Sequence, residues 1–308
     1  MGNTIQKMAF PYPNPPYNFR SEPIYISNSR GDKIPILYFP ITQKNTKADK
    51  NLKLIIFSHG NATDLAASEY FLMQLREKFH VSVLGYEYLG YGHSVPAEQT
   101  STSSVRTCDY PSEDGCYESL AMAWNHARRI LGYEPEDIIL MGQSIGSGPT
   151  CEIAERISLK GKKPIEKDGF CAFSSGCSTS TISDTDSTEG SSNLDNDTEH
   201  KLGGVILISP FRSAAKVITN NPMGYFVDFF CNENKIANIA APILIIHGSS
   251  DCVIAYDHAE HMVDVCKRKG IKCVDLCPVP GADHNDIFER QETSDAIHKF
   301  LEGLYVSV

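Results

Sequence analysis

The 308-residue chain lacks an apolar run of the roughly 18 residues that a membrane-spanning helix needs. It has no CxxC pair among its ten cysteines. No signal-peptide pattern follows Met1, where "PYPNPPYNF" is proline-rich and aromatic instead. Without a secretory signal the even cysteine count does not imply disulfides, and the sequence predicts reduced thiols in a cytosolic protein. Basic stripes are missing too. Lys and Arg number 28 against 38 Asp and Glu, a net charge of −10, and no electrostatic footprint points to nucleic acid. Six of those ten excess charges are Asp184, Asp186, Glu189, Asp195, Asp197 and Glu199, in a stretch without Lys or Arg, so the rest of the chain is nearly balanced. Hydrophobic residues make up 41%, enough for a sizeable core.

The pattern along the chain alternates strands and helices. "PIYIS" and "IPILYFP" flank the turn signal "NSRGDK" and predict a hairpin. "LKLIIFSHG", "VSVLGYEYLGYG", "DIILMG", "GGVILISP", "APILIIHG" and "IKCVDLCPVPG" read as strands. Several are continuously apolar, as strands buried on both faces are. "YESLAMAWNHARRIL", "SGPTCEIAERIS", "YDHAEHMVDVCKRKG" and "ETSDAIHKFLEGL" read as helices. The expected architecture is α/β, a mostly parallel central sheet with helices on both faces. An N-terminal segment, 1–22, precedes one domain, 23–308. The domain is interrupted at about 158–201 by an acidic Ser/Thr-rich insertion whose composition predicts disorder.

The chemistry centres on "IILMGQSIGSGPT". Gly142-Gln143-Ser144-Ile145-Gly146 fits G-x-S-x-G between a strand and a helix, the context that motif requires. A strand turning that sharply into a helix leaves no room for side chains at Gly142 and Gly146. It exposes the Ser144 hydroxyl beside backbone N–H groups that favour developing negative charge. Such a serine needs a base, and the base needs an orienting acid. Downstream, Asp251 follows the strand "PILIIHG" and His284 follows "CVDLCPV", both at carboxyl ends of strands, where open α/β sheets build their sites.

Rivals exist. His247 also ends a strand but precedes the acid, and reads as structural. Asp283 and Asp286 flank His284 too closely in sequence to reach its ring readily. His258 and His261 share a helix face without a third ligand, so no metal is implied, and they read as solvent-facing; no organic cofactor is implied either. The oxyanion donors expected are the N–H groups of Ile145 and of Asn61, in "SHGNATD", with Ala62 as the neighbouring alternative. "NPMGYFVDFFCNE" places Tyr225, Phe226, Phe229 and Phe230 where an acyl groove or a lipid contact could form; packing on the core is the alternative reading.

The segments "KMAFPYPNPPY", "SHGNATDL", "GYGHS", "GQSIGSGPT", "VILISPF", "PILIIHGSSDCVI" and "PGADHNDI" resemble the alpha/beta-hydrolase-domain-containing 17 family of serine hydrolases. The resemblance runs from about Lys7 to Leu301 and implies the alpha/beta-hydrolase fold. It matches Ser144, Asp251 and His284 to a catalytic triad, and Asn61 and Ile145 to the oxyanion donors. Family members remove palmitoyl groups from cysteines of proteins at the cytosolic face of membranes. The implied substrates are therefore S-acylated proteins, or lipid esters, met at a peripheral membrane contact. The family's N-terminal cysteine cluster has no counterpart here: the first cysteine is Cys108, and the chain begins Met1-Gly2-Asn3-Thr4-Ile5-Gln6. That start is like a myristoylation signal but has Gln6 where Ser or Thr is preferred. A soluble esterase or monoacylglycerol-type lipase, and a catalytically silent interaction module, are the alternative functions. The residues do not indicate an oligomeric state.

Overall fold

In a computed structural model of the protein, residues 10–41, 53–97, 111–160, 201–218 and 228–306 are described. Eight strands form one sheet in the order β1-β2-β4-β3-β5-β6-β7-β8. The strands are β1 (Ile24–Ser27), β2 (Lys33–Phe39), β3 (Leu54–Ser58), β4 (Ser82–Tyr86), β5 (Ile138–Gln143), β6 (Gly204–Ile208), β7 (Ile243–Gly248) and β8 (Val274–Val279). β1, β2 and β4 pair antiparallel, and every pairing from β4 to β8 is parallel. The longer helices are α1 (Leu65–Phe79), α2 (Glu113–Arg129), α3 (Ser147–Lys160), α6 (Asp257–Arg268) and α7 (Gln291–Val306). Two short ones, α4 (Ala214–Ile218) and α5 (Asn232–Lys235), lie between β6 and β7.

The apolar runs behave as strands buried on both faces. Side chains alternate sides along a strand, and the core divides accordingly. Leu54, Ile56, Leu140, Leu207 and Ile245 face one layer, with Leu120 of α2, Ile153 of α3 and Met262 of α6. Ile55, Phe57, Met141, Ile206 and Ile246 face the other, with Leu72 of α1 and Leu301 of α7. The expected hairpin and parallel sheet are both present. Helix α1 is not among the elements expected from the sequence, although Asp64 accepts from the Ala67 N–H at 2.8 Å and supplies an ordinary N-cap. Helix α3 continues through 158–160, so the insertion begins later than expected; residues 161–200 lie outside the described part, and with them the expectation of disorder.

Residues 10–21 form a strap across the domain. Phe10 is buried against Phe229 and Phe230. The Tyr17 N–H donates to Asp64, and the Arg20 N–H and Ser21 hydroxyl donate to the buried Glu69 carboxylate. A carboxylate taken out of water needs such donors, so strap and α1 depend on one another.

At the other end of the sheet's logic, β5 leaves through a short 3-10 turn, Ser144–Gly146, directly into α3. Gly146 sits against the end of β3: a Cβ there would lie 2.2 Å from the Ser58 carbonyl oxygen and 2.9 Å from that of His59. At Gly142 a Cβ would lie 2.3 Å from the Gly146 carbonyl oxygen. Backbone cannot step aside as a flexible side chain can. Gly146→Ala is therefore expected to destabilise the fold by about 2–3 kcal/mol, the upper part of the usual overpacking range. Chemical denaturation checks this, and a loss under about 0.5 kcal/mol would contradict the packing described.

Candidate active site

Three strand ends supply the candidate residues. Ser144 follows β5 with φ 52°, in the left-handed region where non-glycine residues are uncommon. The Ser147 hydroxyl donates to the Ser144 carbonyl at 2.6 Å and helps hold the turn. Asp251 follows β7, and His284 follows β8. The two loops are tied together by bonds from Ser250 N–H to the Ala282 carbonyl and from Gly281 N–H to the Ser249 hydroxyl.

His284 Nδ1 lies 2.8 Å from Asp251 Oδ2, with the carboxylate fully buried. The other oxygen, Oδ1, accepts from the N–H groups of Val253 (2.9 Å) and Ile254 (2.8 Å). Burial alone would raise the Asp251 pKa. The His284 bond and these backbone donors outweigh it and hold the carboxyl below the usual carboxylate range. With Nδ1–H donated to Asp251, Nε2 of His284 is the nitrogen left to take a proton. Among the described residues, no hydrogen bond joins the Ser144 hydroxyl to His284. Such contacts are often long before substrate binds and tighten in the complex.

The rivals separate clearly. Asp283 accepts from the backbone of Cys252 and His284 rather than reaching the imidazole. Asp286 pairs with Arg290. His247 is buried behind the acid: its Nε2 lies 2.8 Å from the Ile254 carbonyl and 3.5 Å from Asp251, and burial pushes its pKa down. His258 is a correction. It is 7% exposed, not solvent-facing, because its Nδ1 accepts the Arg212 N–H. His261, half-buried, faces Glu233. Among the described residues no group of three or more His, Cys, Asp or Glu side chains is placed to hold a metal ion.

The loop carrying Asn61 runs beside the serine: a Cβ on Gly60 would lie 3.9 Å from that of Ser144. Ala62, the alternative donor, is committed elsewhere, giving its N–H to the Pro11 carbonyl at 2.9 Å with φ 57°. Ile145 stands at the start of the turn into α3, where the first N–H groups have no partner within the helix. The aromatic groove is only partly visible. Tyr225 and Phe226 lie outside the described residues. Phe229 is half-buried against the core. Phe230 is a further correction: it is 1% exposed, packed among Phe10, Tyr117 and Phe211 and against Gly148, so it is a core ring and not the wall of an open groove. Sequence reasoning misses the polar residues behind the Asn61 loop, Glu87, Tyr88 and Tyr91, although "YEYLGYG" signals a turn there through its two glycines.

Residues 148–281 match a family described as Serine hydrolase (FSH1). That stretch contains Asp251 but neither Ser144 nor His284. The chain is 29% identical over 264 residues to a protein described as a putative alpha/beta hydrolase of Acanthamoeba polyphaga mimivirus, covering 86% of this chain and 77% of the viral protein. It is 30% identical over 248 residues to alpha/beta hydrolase domain-containing protein 17C of Xenopus tropicalis (80% of this chain, 61% of the frog protein). Identity and coverage of this chain are the same for the Homo sapiens 17C protein, of which 57% is covered. The chain thus spans about three-fifths of the length of these 17C relatives. Among solved structures, Est1E of Butyrivibrio proteoclasticus with bound ferulic acid superposes with a TM-score of 0.57 at 13% identity, covering 92% of this chain and 99% of Est1E. The Pyrococcus furiosus esterase Pf2001 superposes at 0.53 and 14%, covering 92% and 93%. These neighbours establish the alpha/beta-hydrolase fold.

The lowered Asp251 pKa has a consequence for stability. A depressed carboxyl stabilises the fold above its unfolded pKa, about 3.9, and loses that contribution as pH falls through the folded value. Asp251→Asn is expected to lower stability at neutral pH and to flatten the loss of stability that the wild type shows as pH falls below the unfolded carboxyl pKa. Thermal unfolding measured against pH checks this; an unchanged acid limb would contradict it.

Proposed function

Taking the chain as a serine hydrolase related to the alpha/beta hydrolase domain-containing protein 17 family, we propose that it cleaves acyl thioesters or esters, with palmitoyl groups on protein cysteines as the substrate class. The observation that carries the hydrolytic part is the buried Asp251–His284 pair at 2.8 Å, in a sheet whose β5 ends in a serine of strained geometry. The palmitoyl part is supported by the likeness to the family, whose resemblance implies that chemistry. Access to acylated proteins would be peripheral, from the cytosolic face; none of the described helices is long and apolar enough to cross a membrane.

In this reading the Ser144 hydroxyl attacks the acyl carbonyl carbon while His284 Nε2 takes its proton. Asp251 holds the imidazole in the right tautomer and stabilises the imidazolium. The N–H groups of Asn61 and Ile145 receive the negative charge on the carbonyl oxygen. Collapse expels the thiol or alcohol, protonated by His284, and leaves an acyl group on Ser144. Water, deprotonated by His284, repeats the sequence, releasing the fatty acid and restoring the serine. The burial of Phe230 leaves fewer aromatic side chains for a long acyl chain, which favours short esters as the second reading.

Ser144→Ala is expected to lower turnover at least about 1,000-fold while leaving the unfolding midpoint within a few degrees. Competition against a fluorophosphonate probe distinguishes the substrates. Block by a palmitoyl thioester at lower concentration than by a short ester supports the depalmitoylase. Block by short esters alone replaces it with a soluble esterase. Undiminished turnover in Ser144→Ala would remove the hydrolase mechanism itself.

A further inference from the structure

The turn after β4, Tyr86 to Gly92, has no part in the chemistry above, yet its polar groups are deeply buried. Glu87 and Tyr88 are fully buried and Tyr91 is 1% exposed. A buried carboxylate is costly unless it is satisfied, and this one is. Glu87 Oε1 lies 3.0 Å from His59 Nε2 and accepts the Tyr88 N–H at 3.1 Å; Oε2 accepts the Leu65 N–H, at the start of α1, at 3.0 Å. Gly92, at φ 45°, leaves the space this carboxylate occupies: a Cβ there would lie 2.1 Å from Oε2.

What the carboxylate holds is His59, itself 1% exposed. The other ring nitrogen, Nδ1, lies 2.8 Å from the Gly60 carbonyl oxygen; both partners only accept, so the two bonds together need a hydrogen on each ring nitrogen, the protonated ring paired with the Glu87 carboxylate. The Tyr88 hydroxyl donates to the His59 carbonyl at 2.7 Å, and the Tyr88 ring packs 4.3 Å from the imidazole. The Tyr91 hydroxyl donates to Asn61 Oδ1 at 3.0 Å. Burial pushes both phenols well above their ordinary pKa, so they remain donors at working pH. His59 and Asn61 are thus gripped from one turn, and the Gly60 carbonyl between them is held by the His59 ring.

The Gly60 carbonyl and the Asn61 N–H belong to the same planar peptide unit and point in opposite directions. A bond that fixes the carbonyl therefore fixes the N–H. We propose that His59 and Glu87 are positioning residues for the oxyanion hole: Glu87 holds the imidazole, the imidazole holds the Gly60 carbonyl, and the rigid peptide sets the direction of the Asn61 N–H. Without that bond the peptide beside Gly60 is free to rotate, because glycine tolerates the backbone change. This inference rests on the hydrolase reading, in which Asn61 donates to the oxyanion.

The test compares two substitutions at His59. The side-chain amide nitrogen that H59N introduces can occupy the place of Nδ1 and keep the bond to Gly60, whereas the longer side chain introduced by H59Q reaches toward Glu87 and abandons it. Losing one oxyanion donor costs about 100–1,000-fold in kcat, so a loosened donor is expected to cost about 10–100-fold. H59Q should show that loss with KM within about threefold, and H59N should recover most of it. Equal loss in both variants, in step with loss of unfolding stability, would overturn the proposal, as would kcat within about twofold of wild type in H59Q. Glu87→Gln, which keeps an acceptor oxygen, is a milder second variant and should fall between wild type and H59Q. A crystal structure of H59Q reads the same point without turnover. A rotated Gly60–Asn61 peptide is expected, and an unmoved one overturns the positioning role even if the wild type proves not to be a hydrolase.

Discussion

The site depends on how closely two strand ends approach. β3 and β5 are neighbours in the sheet, paired in register from Leu54–Ile138 to Ser58–Gly142. Both chains turn at the same level, and Gly146 rests against the carbonyls of Ser58 and His59. That contact sets the serine turn beside the Asn61 loop. Any larger residue at Gly146 would force the two apart. The nucleophile and the proposed oxyanion donor are thus placed by one backbone contact, which the parallel sheet makes unavoidable and glycine makes feasible.

The acid and base come from the next part of the same arrangement. β7 and β8 lie on the far side of β6, and their loops are joined by two hydrogen bonds before either reaches the site. Asp251 is therefore held by its own backbone as well as by His284, and these bonds keep its carboxyl below the usual carboxylate range. The strap from Phe10 to Ser21 adds a constraint from outside the sheet. It accepts the Ala62 N–H and satisfies Asp64 and Glu69, so the segment after the Asn61 loop is fixed from both ends.

Much of this is legible in the sequence, for physical reasons. Continuous apolar runs such as "ILIIHG" fit strands covered on both faces, and G-x-S-x-G after one of them implies a sharp turn. The positions of Asp251 and His284 at successive strand ends predict that they meet, and they do at 2.8 Å. What is not legible depends on packing between segments distant in the chain. Phe230 reads as a groove residue next to Phe229, but Phe10, more than 200 residues earlier in the sequence, packs on it and places it in the core. His258 reads as exposed on a helix until the Arg212 N–H reaches it. Helix α1 escapes the pattern reading, though its cap is visible at Asp64. The role of Glu87 cannot be inferred from composition, because a lone carboxylate near a strand end is usually solvated, and only the fold shows it enclosed.

The most direct measurement is the mass and location of the adduct formed when purified protein reacts with a fluorophosphonate. The account predicts a single added group on the tryptic peptide carrying Ser144, lost when His284→Ala removes the base. An adduct on another residue, or labelling that persists without His284, would contradict the account of Ser144 as the nucleophile activated by His284.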